Sequence, residues 1–370
     1  MQIEIYNMIP VGENITISLE AVCDSFSSLL WDIEYYKCGA FEVYIAASPR
    51  NIEIFQAGRI VGRDDDKEHF GLIESVELET DAEDGDYLII KGRFLMCLLE
   101  RRIIYPTFNF TKLVSYSQIV MNVVQYNACT SGIRKLPGLV VGCSSGACWN
   151  AETKLQVSYD NLMEWVYTIC EKIGGTANIR LSKIYNEQYE MVFELSQGTD
   201  RSILQEENPH IIFSDRYNNL LSFTYFTDTA VKKNYAYVLG KGEGEKRKRT
   251  TYFEGSEPSS LDRYEVYVDA KDISDEEQEN GETKPLPDAE YSELLKEKGK
   301  QSLVPITMKS ESQIAVQSTQ FQYGVDYFVG DFVTVEHHRF GIRQNKIQLV
   351  GMIESFDRNG RNLTPTFKDT

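Results

Sequence analysis

Apolar and polar positions alternate with period two through much of residues 1–105. Ile15, Ile17 and Leu19 alternate with polar partners, as do Phe41, Val43 and Ile45, and then Ile52 and Ile54. Val76 and Leu78 carry the pattern to an acidic turn, Asp81 to Asp86, containing Asp84-Gly85, and the chain returns through Tyr87-Leu-Ile-Ile. Such alternation between turn signals predicts hairpins, and a succession of short strands predicts a barrel or sandwich.

After Tyr105-Pro106 the period changes. Ser115 or Ser117 can cap a short helix with Ile119, Val120, Val123 and Val124 on its apolar face. A second helix is predicted over Tyr159 to Ile173, with Ser158 at its start and Leu162, Trp165, Val166, Ile169 and Ile173 at helical spacing. Gly174-Gly175 ends it. Strands near Ala177–Leu181 and Glu190–Leu195 follow, then Ile211 onward, Leu221–Phe226 and Ala236–Leu239. Ser274 to Glu282 reads as an acidic loop, and Leu286 to Gln301 as an amphipathic helix begun near Pro287. Strands return at Gln313–Phe321, Phe332–Val335 and Gln348–Ser355. A last strand ends at Phe367, reached through the turn Asp357-Arg-Asn-Gly360. The pattern predicts a β-rich, α+β, multidomain chain. The architecture this suggests is two β-barrels, with a mixed α/β insert in the first and a helical excursion in the second.

Composition narrows the function classes. The 370 residues suffice for two or three packed domains, and 42% hydrophobic with 25% charged residues is a globular balance. Twenty-two Tyr and 18 Phe favour strands. A net charge of −18 repels phosphate backbones, which argues against gripping nucleic acid, although a like-charged wall would suit a passage that DNA slides through without sticking. The N-terminus has no signal-peptide pattern, and no apolar run reaches membrane-spanning length. Cys23, Cys38, Cys97, Cys129, Cys143, Cys148 and Cys170 lack a framework spacing and read as reduced thiols of a chain folded in a cytoplasm.

Candidate chemistry is sparse. His337 and His338 are adjacent, so on a strand they face opposite ways, and His69 and His210 stand alone. Cys143-x4-Cys148 has no second pair to complete a metal site. Gly142-Cys-Ser144-Ser-Gly146 matches a nucleophile elbow, yet the residues after it have no helical period, so it reads as a small-residue loop. Gly240-Lys-Gly-Glu-Gly-Glu lacks the closing Gly-Lys-Ser/Thr of a phosphate loop, and Glu243 and Glu245 would repel a phosphate, so it reads as a surface turn. Lys246-Arg-Lys-Arg249, with Lys241, is a concentrated basic run and reads as a solvated hairpin tip, with an acidic protein partner left open. Asp64-Asp-Asp66 and Asp275-Glu-Glu277 read as hydrated turns rather than a paired-carboxylate centre. Asn14, Asn109 and Asn362 head formal sequons that carry no meaning in a chain that is not secreted. No catalytic, cofactor-binding or metal residue is assigned.

Four stretches resemble the siphophage-type tail hub family, whose members are counterparts of the baseplate hubs of contractile tails and tail-like bacteriocins. They are Gly71–Glu77 through Leu99-Glu-Arg-Arg-Ile103; Gly198-Thr-Asp-Arg-Ser202 with Ile212–Leu220 and Ala236–Gly244; Leu261–Asp269 with Asp272–Ser274; and Tyr323–Val335 with Glu354–Phe367. Gly324, Gly330 and Asp331 in the last read as fold-specifying turns. Cys143–Cys148 departs from the family pattern.

The resemblance implies tail-tube-like barrels, the first at residues 1–105 and completed by about 196–225, the second at 226–370 with the acidic loop and helix at about 274–302. Residues 106–195 are the inserted α/β domain. It further implies a homotrimer that closes the tail tube, presents six barrels to a six-fold tube and holds a spike or fibre. The implied partners are the tail tube or distal tail protein, the spike or fibre, and the tape-measure protein. DNA passes through the lumen unbound, and the place is the virion or particle tail tip, assembled in the bacterial cytoplasm. Because the chain ends soon after the last predicted strand, no wall-degrading activity is expected. The rival readings are a receptor- or carbohydrate-binding tail module, built on exposed Tyr or on Trp31, Trp149 and Trp165, and a hydrolase using Ser144 or an acidic cluster.

Overall fold

The computed structural model describes residues 1–11, 14–81, 85–130, 132–184, 189–279, 282–304, 307–314 and 320–368. Its first seven strands are β1 (Ile3–Val11), β2 (Asn14–Cys23), β3 (Ser28–Glu34), β4 (Ala40–Ala46), β5 (Ile60–Arg63), β6 (Asp66–Asp81) and β7 (Gly85–Phe94). They pair antiparallel in the order β2-β1-β5-β6-β7-β4-β3. Alternation buries Leu29, Trp31 and Ile33 on β3 and Phe41, Val43 and Ile45 on β4. Ile52 and Ile54 are an exception. They lie in a short helix, α1 (Pro49–Ile54), capped by Ser48 and begun by Pro49. Two apolar residues cannot distinguish a strand from one helical turn, and the cap decides here.

A short helix, α2 (Cys97–Glu100), leads into the insert, which comprises β8 (Phe108–Ser115), α3 (Tyr116–Val124), β9 (Leu139–Ser144), β10 (Glu152–Val157), α4 (Leu162–Ile173), β11 (Thr176–Lys183) and β12 (Tyr189–Ser196). Ser115 caps α3 as expected. Helix α4 starts later than Ser158, at the cap Asn161, because Tyr159 has a left-handed φ of +59° that a helix cannot contain. Gly174, at φ +75°, closes it. Strand β12 pairs with β11, with β9 in parallel and, at Tyr189, with β2, so the insert extends the first sheet. Trp149, Val166, Ile169 and Phe193 are buried in its core.

The remaining elements are β13 (Ile212–Ser214), β14 (Leu220–Asp228), β15 (Tyr235–Leu239), β16 (Arg249–Tyr252), β17 (Glu265–Asp269), β18 (Glu276–Glu279), β19 (Glu282–Pro285), α5 (Asp288–Gln301), β20 (Thr307–Ile314), β21 (Phe332–His337), β22 (Ile342–Asp357) and β23 (Gly360–Lys368). The helical excursion is a small α/β unit. Strands β16-β15-β17 form their own sheet, and Ala236, Val238, Leu294 and Leu295 form its core under α5. Lys233 and Val304 exchange backbone hydrogen bonds of 2.7 and 2.9 Å where the chain enters and leaves it. Lys172 of α4 forms an ion pair with Glu297 of α5. Part of the predicted acidic loop is the β18–β19 pair, while residues 280 and 281 lie outside the described set, as do Asp84 and residues 315–319 of the predicted Gln313–Phe321 strand.

Strand β22 joins the halves. Its residues Gly351–Phe356 pair with Leu29–Glu34 of β3, and the sheet continues β22-β23-β20-β14. One apolar core spans both sides of this join, from Ile3, Trp31 and Ile90 to Phe213, Met352 and Phe367. Where residues 196–225 were expected to complete the first barrel, β13 pairs with β21 and β14 with β20. Among the described residues no pairing closes either run into a ring; the chain is β-rich, with one large sheet.

Candidate functional site: the junction of the two halves

The β3–β22 join carries a charged seam. Arg63, at the end of β5, is 1% exposed, and its guanidinium grips Asp65 through two bonds of 2.9 and 3.0 Å. It also donates to Glu354 of β22 at 3.0 Å, and Glu354, 2% exposed, takes a further 2.9 Å bond from Arg361 of β23. Trp31 and Phe356 flank the Arg63 guanidinium at 5.5 and 4.8 Å. Two cations therefore meet two carboxylates among aromatic rings, which satisfies a charge that burial would otherwise forbid. Beside them, Asp66 accepts from Trp31 Nε1 at 3.0 Å and pairs with His69 Nδ1 at 2.9 Å.

Electrostatics follow from that geometry. Burial disfavours charged His69, yet the Asp66 carboxylate outweighs it and raises the imidazole above its ordinary pKa. Burial pushes Asp66 up, but His69 and Arg63 hold its carboxyl well below the usual range. Thus Asp64-Asp-Asp66 is not a hydrated turn throughout. Asp65 and Asp66 are structural partners, while Asp64 accepts from Gln2 N. His69 does not stand alone. Arg63 and Glu354 lie 291 residues apart, and no local pattern could have linked them.

A second set of bonds ties the segment after the insert to the loop before β21. Asp331, 2% exposed, accepts from Thr199 N at 2.7 Å, Phe328 N at 3.1 Å and Arg201 Nε at 2.9 Å. Gly330 has φ +104°, and a Cβ there would stand 2.2 Å from the Tyr35 ring. The Tyr35 hydroxyl in turn accepts from Gly198 N at 2.9 Å and donates to Gly174 O at 3.2 Å. Gly324, at φ +84°, shares the turn geometry predicted for it. Two of the stretches that carry the family resemblance thus face each other across this clasp.

A cleft of about 350 Å³ opens beside the seam between β3, β11, β12 and the loop containing Phe328. Cys143 lines it and donates to Glu194 at 3.4 Å; that hydrogen bond, with burial, raises the thiol pKa, so it is not an activated nucleophile. Glu194 is neutralised by Arg180 at 2.5 Å. Ser144 is exposed at the end of β9 and is followed by Gly146 at φ +106° and a single short turn, so the elbow's helix is missing. Cys148 is half-buried, and all seven cysteines are free.

The remaining candidates are also accounted for. In the β15–β16 hairpin Arg247 pairs with Asp269, Lys248 with Asp288 and Lys241 with Asp275, so most of the basic run is neutralised within its own unit. His210 contacts Gln205 O, and His337 lies 3.4 Å from Asp215. Among the described residues no three metal-ligating side chains come together, and no helix is long and apolar enough to cross a membrane. Trp31, Trp149 and Trp165 are all buried, which removes tryptophan as a sugar-stacking surface.

The model of the Siphovirus ReqiPepy6 Gp37-like protein family matches residues 3–367, and the chain belongs to that family. No curated protein matches the sequence. Among solved structures, a tail protein from Neisseria meningitidis MC58 superposes with a TM-score of 0.58 at 14% identity, covering 99% of this chain and 96% of that one. Prophage tail protein gp18 from Listeria monocytogenes EGD-e gives 0.55 at 12% identity, covering 100% and 95%. The 43 kDa tail protein of prophage MuSo2 from Shewanella oneidensis gives 0.53 at 12% identity, covering 99% and 98%. At these identities the likeness is one of fold, and it extends over nearly the full length of each partner. The resemblance read from the four sequence stretches holds at the level of a siphovirus tail family.

Proposed function

We propose that this family member is the structural hub that closes a tail tube at its tip, working as a homotrimer and without catalysis. The observation that carries the reading is the β3–β22 join, which fuses two strand runs into one body with a shared core. A chain built as two linked β modules, roughly 1–105 with the 106–195 insert and 226–370, gives six modules in a three-fold ring. That number mates with a six-fold tube. The seam and clasp serve this role by holding the modules at a fixed angle, since a symmetry adaptor fails if its halves rock. Three copies at −18 each would line the passage with like charge for DNA or tape-measure protein. The spike or fibre attaches below, and the particle assembles in the bacterial cytoplasm.

Sedimentation or mass photometry of the purified chain tests the reading. A species of three times the chain mass, imaged as a ring with an open axial channel, is the expected result. A stable monomer at micromolar concentration, or a packing with no channel, refutes it. Release of soluble fragments from cell-wall sacculi would refute the non-catalytic part.

A further inference from the structure

The base of the insert bears a charge pattern opposite to that of the chain as a whole. Arg101 and Arg102 follow α2, and Arg134 and Lys135 come from the segment after α3. Hydrogen bonds bring the two segments together. Arg102 Nε donates to Arg134 O at 2.5 Å, and Arg134 donates to Tyr105 O at 3.0 Å and to Ile103 O. None of these four cations makes an ion pair among the described residues. Of the nearby carboxylates, Glu74 and Glu100 bond to Arg93 at 2.9 and 2.7 Å, with Glu74 also feeling the Arg101 charge. Burial and then the neighbouring Arg134 and Arg101 charges depress the pKa of Arg102.

Apolar side chains surround this cluster and stand in solvent. Ile103 is 50% exposed, Tyr105 52%, Tyr159 65%, and Ile133 is fully exposed. The Tyr105 and Tyr159 rings lie 6.1 Å apart, and the Arg134 guanidinium sits 5.9 Å from the Tyr105 ring centre. Tyr159 adds an independent sign. Its φ of +59° costs about 1–3 kcal/mol in a non-glycine residue, and its ring, 65% exposed, gains little burial to offset it. Asn or Gly would occupy that backbone at lower cost, so the ring itself is what the position retains.

We propose that this patch docks an acidic, apolar-bearing polypeptide segment of a partner protein. Tyr, Arg and Ile around a desolvatable centre are the composition of an interface hot spot. Unpaired cations in a chain of −18 select carboxylates. Nucleic acid fits less well. The Arg102 and Arg134 forks are already bonded to backbone carbonyls, so they offer a fixed positive field rather than bidentate phosphate recognition, and the rest of the surface repels a polyphosphate.

Fluorescence anisotropy on the full chain tests this, with a labelled peptide of alternating glutamate and leucine as probe. Controls are the same peptide with glutamine for glutamate and an oligothymidylate of equal length. Saturable binding of the acidic peptide is expected, weakened by salt and by about tenfold in Arg101→Glu and in Tyr159→Asn. Both variants should fold, because Arg101 is exposed without an ion-pair partner and Asn tolerates the left-handed backbone. Three outcomes overturn the proposal: no binding of the acidic peptide, equal or tighter binding of either control, or binding unchanged in both variants. Self-association of the wild-type chain that disappears in Arg101→Glu would overturn it in favour of a second copy. Peptide binding and ring formation are separate readouts, so failure here leaves the hub reading standing.

Discussion

Removing the Glu354 charge tests the seam most directly. Glu354→Gln keeps the volume but leaves Arg63, 1% exposed, and Arg361 sharing a neutral amide. Breaking a buried pair from one side costs about 3–5 kcal/mol. Here Arg63 keeps its bidentate grip on Asp65, so about 2–4 kcal/mol is the appropriate range. The exposed pair Lys91–Glu42, with side chains 51% and 45% exposed, is the control, and Glu42→Gln should cost under about 1 kcal/mol. Chemical denaturation followed by tryptophan fluorescence reads both, because buried Trp31 lies beside Arg63. A double-mutant cycle with Arg63→Gln isolates the coupling, expected above about 1.5 kcal/mol across the seam and below about 0.5 for Lys91–Glu42. Equal costs for the two glutamates, or a seam coupling near zero, would refute the claim that this network fixes the halves.

Further outcomes follow from the same geometry. Gly330→Ala should cost more than about 2 kcal/mol in thermal melts, because its Cβ meets the Tyr35 ring, whereas Gly324→Ala, with open space around it, should cost about 1 kcal/mol. Similar losses would disprove the close-approach argument. Asp331→Ala strands two backbone N–H groups and Arg201, so a loss of about 3 kcal/mol is expected in denaturant titration. His69→Gln should reveal pH-dependent stability. The raised histidine pKa stabilises fully below the unfolded value of 6.5 and fades as pH rises through the folded one. Depressed Asp66 stabilises above its unfolded 3.8 and fades only as pH falls through its lower folded value. The wild-type advantage should therefore be largest between pH 3.8 and 6.5 and shrink in alkali; a difference that stays the same from that window into alkali would show a neutral pair.

Local order was legible and distant pairing was not. Helix α4 could be read because Leu162, Val166 and Ile169 repeat within one segment and Gly174 stops it, though its start was misplaced because nothing in the residue type foretells that Tyr159 turns left-handed. Strands β2, β4 and β6 were legible from their alternation. The separate α/β unit was not, since Ala236–Leu239 looks the same whether it joins a large sheet or a small one. At the junction, Gly330 and Asp331 were recognisable as turn residues, but their partners Tyr35, Thr199 and Arg201 come from remote parts of the chain. Acidic runs are hydrated in most proteins, which hid the inward role of Asp65 and Asp66.

The Lys233–Val304 bridge has a consequence for how such proteins diverge. Because the α/β unit departs and returns through one doorway, its ends are already held together whatever lies between them. Lengthening the excursion changes the closure entropy only slowly, so this cassette can be trimmed, enlarged or exchanged while the register of β14 against β20 is kept. Relatives with divergent accessory decoration should vary most at this doorway.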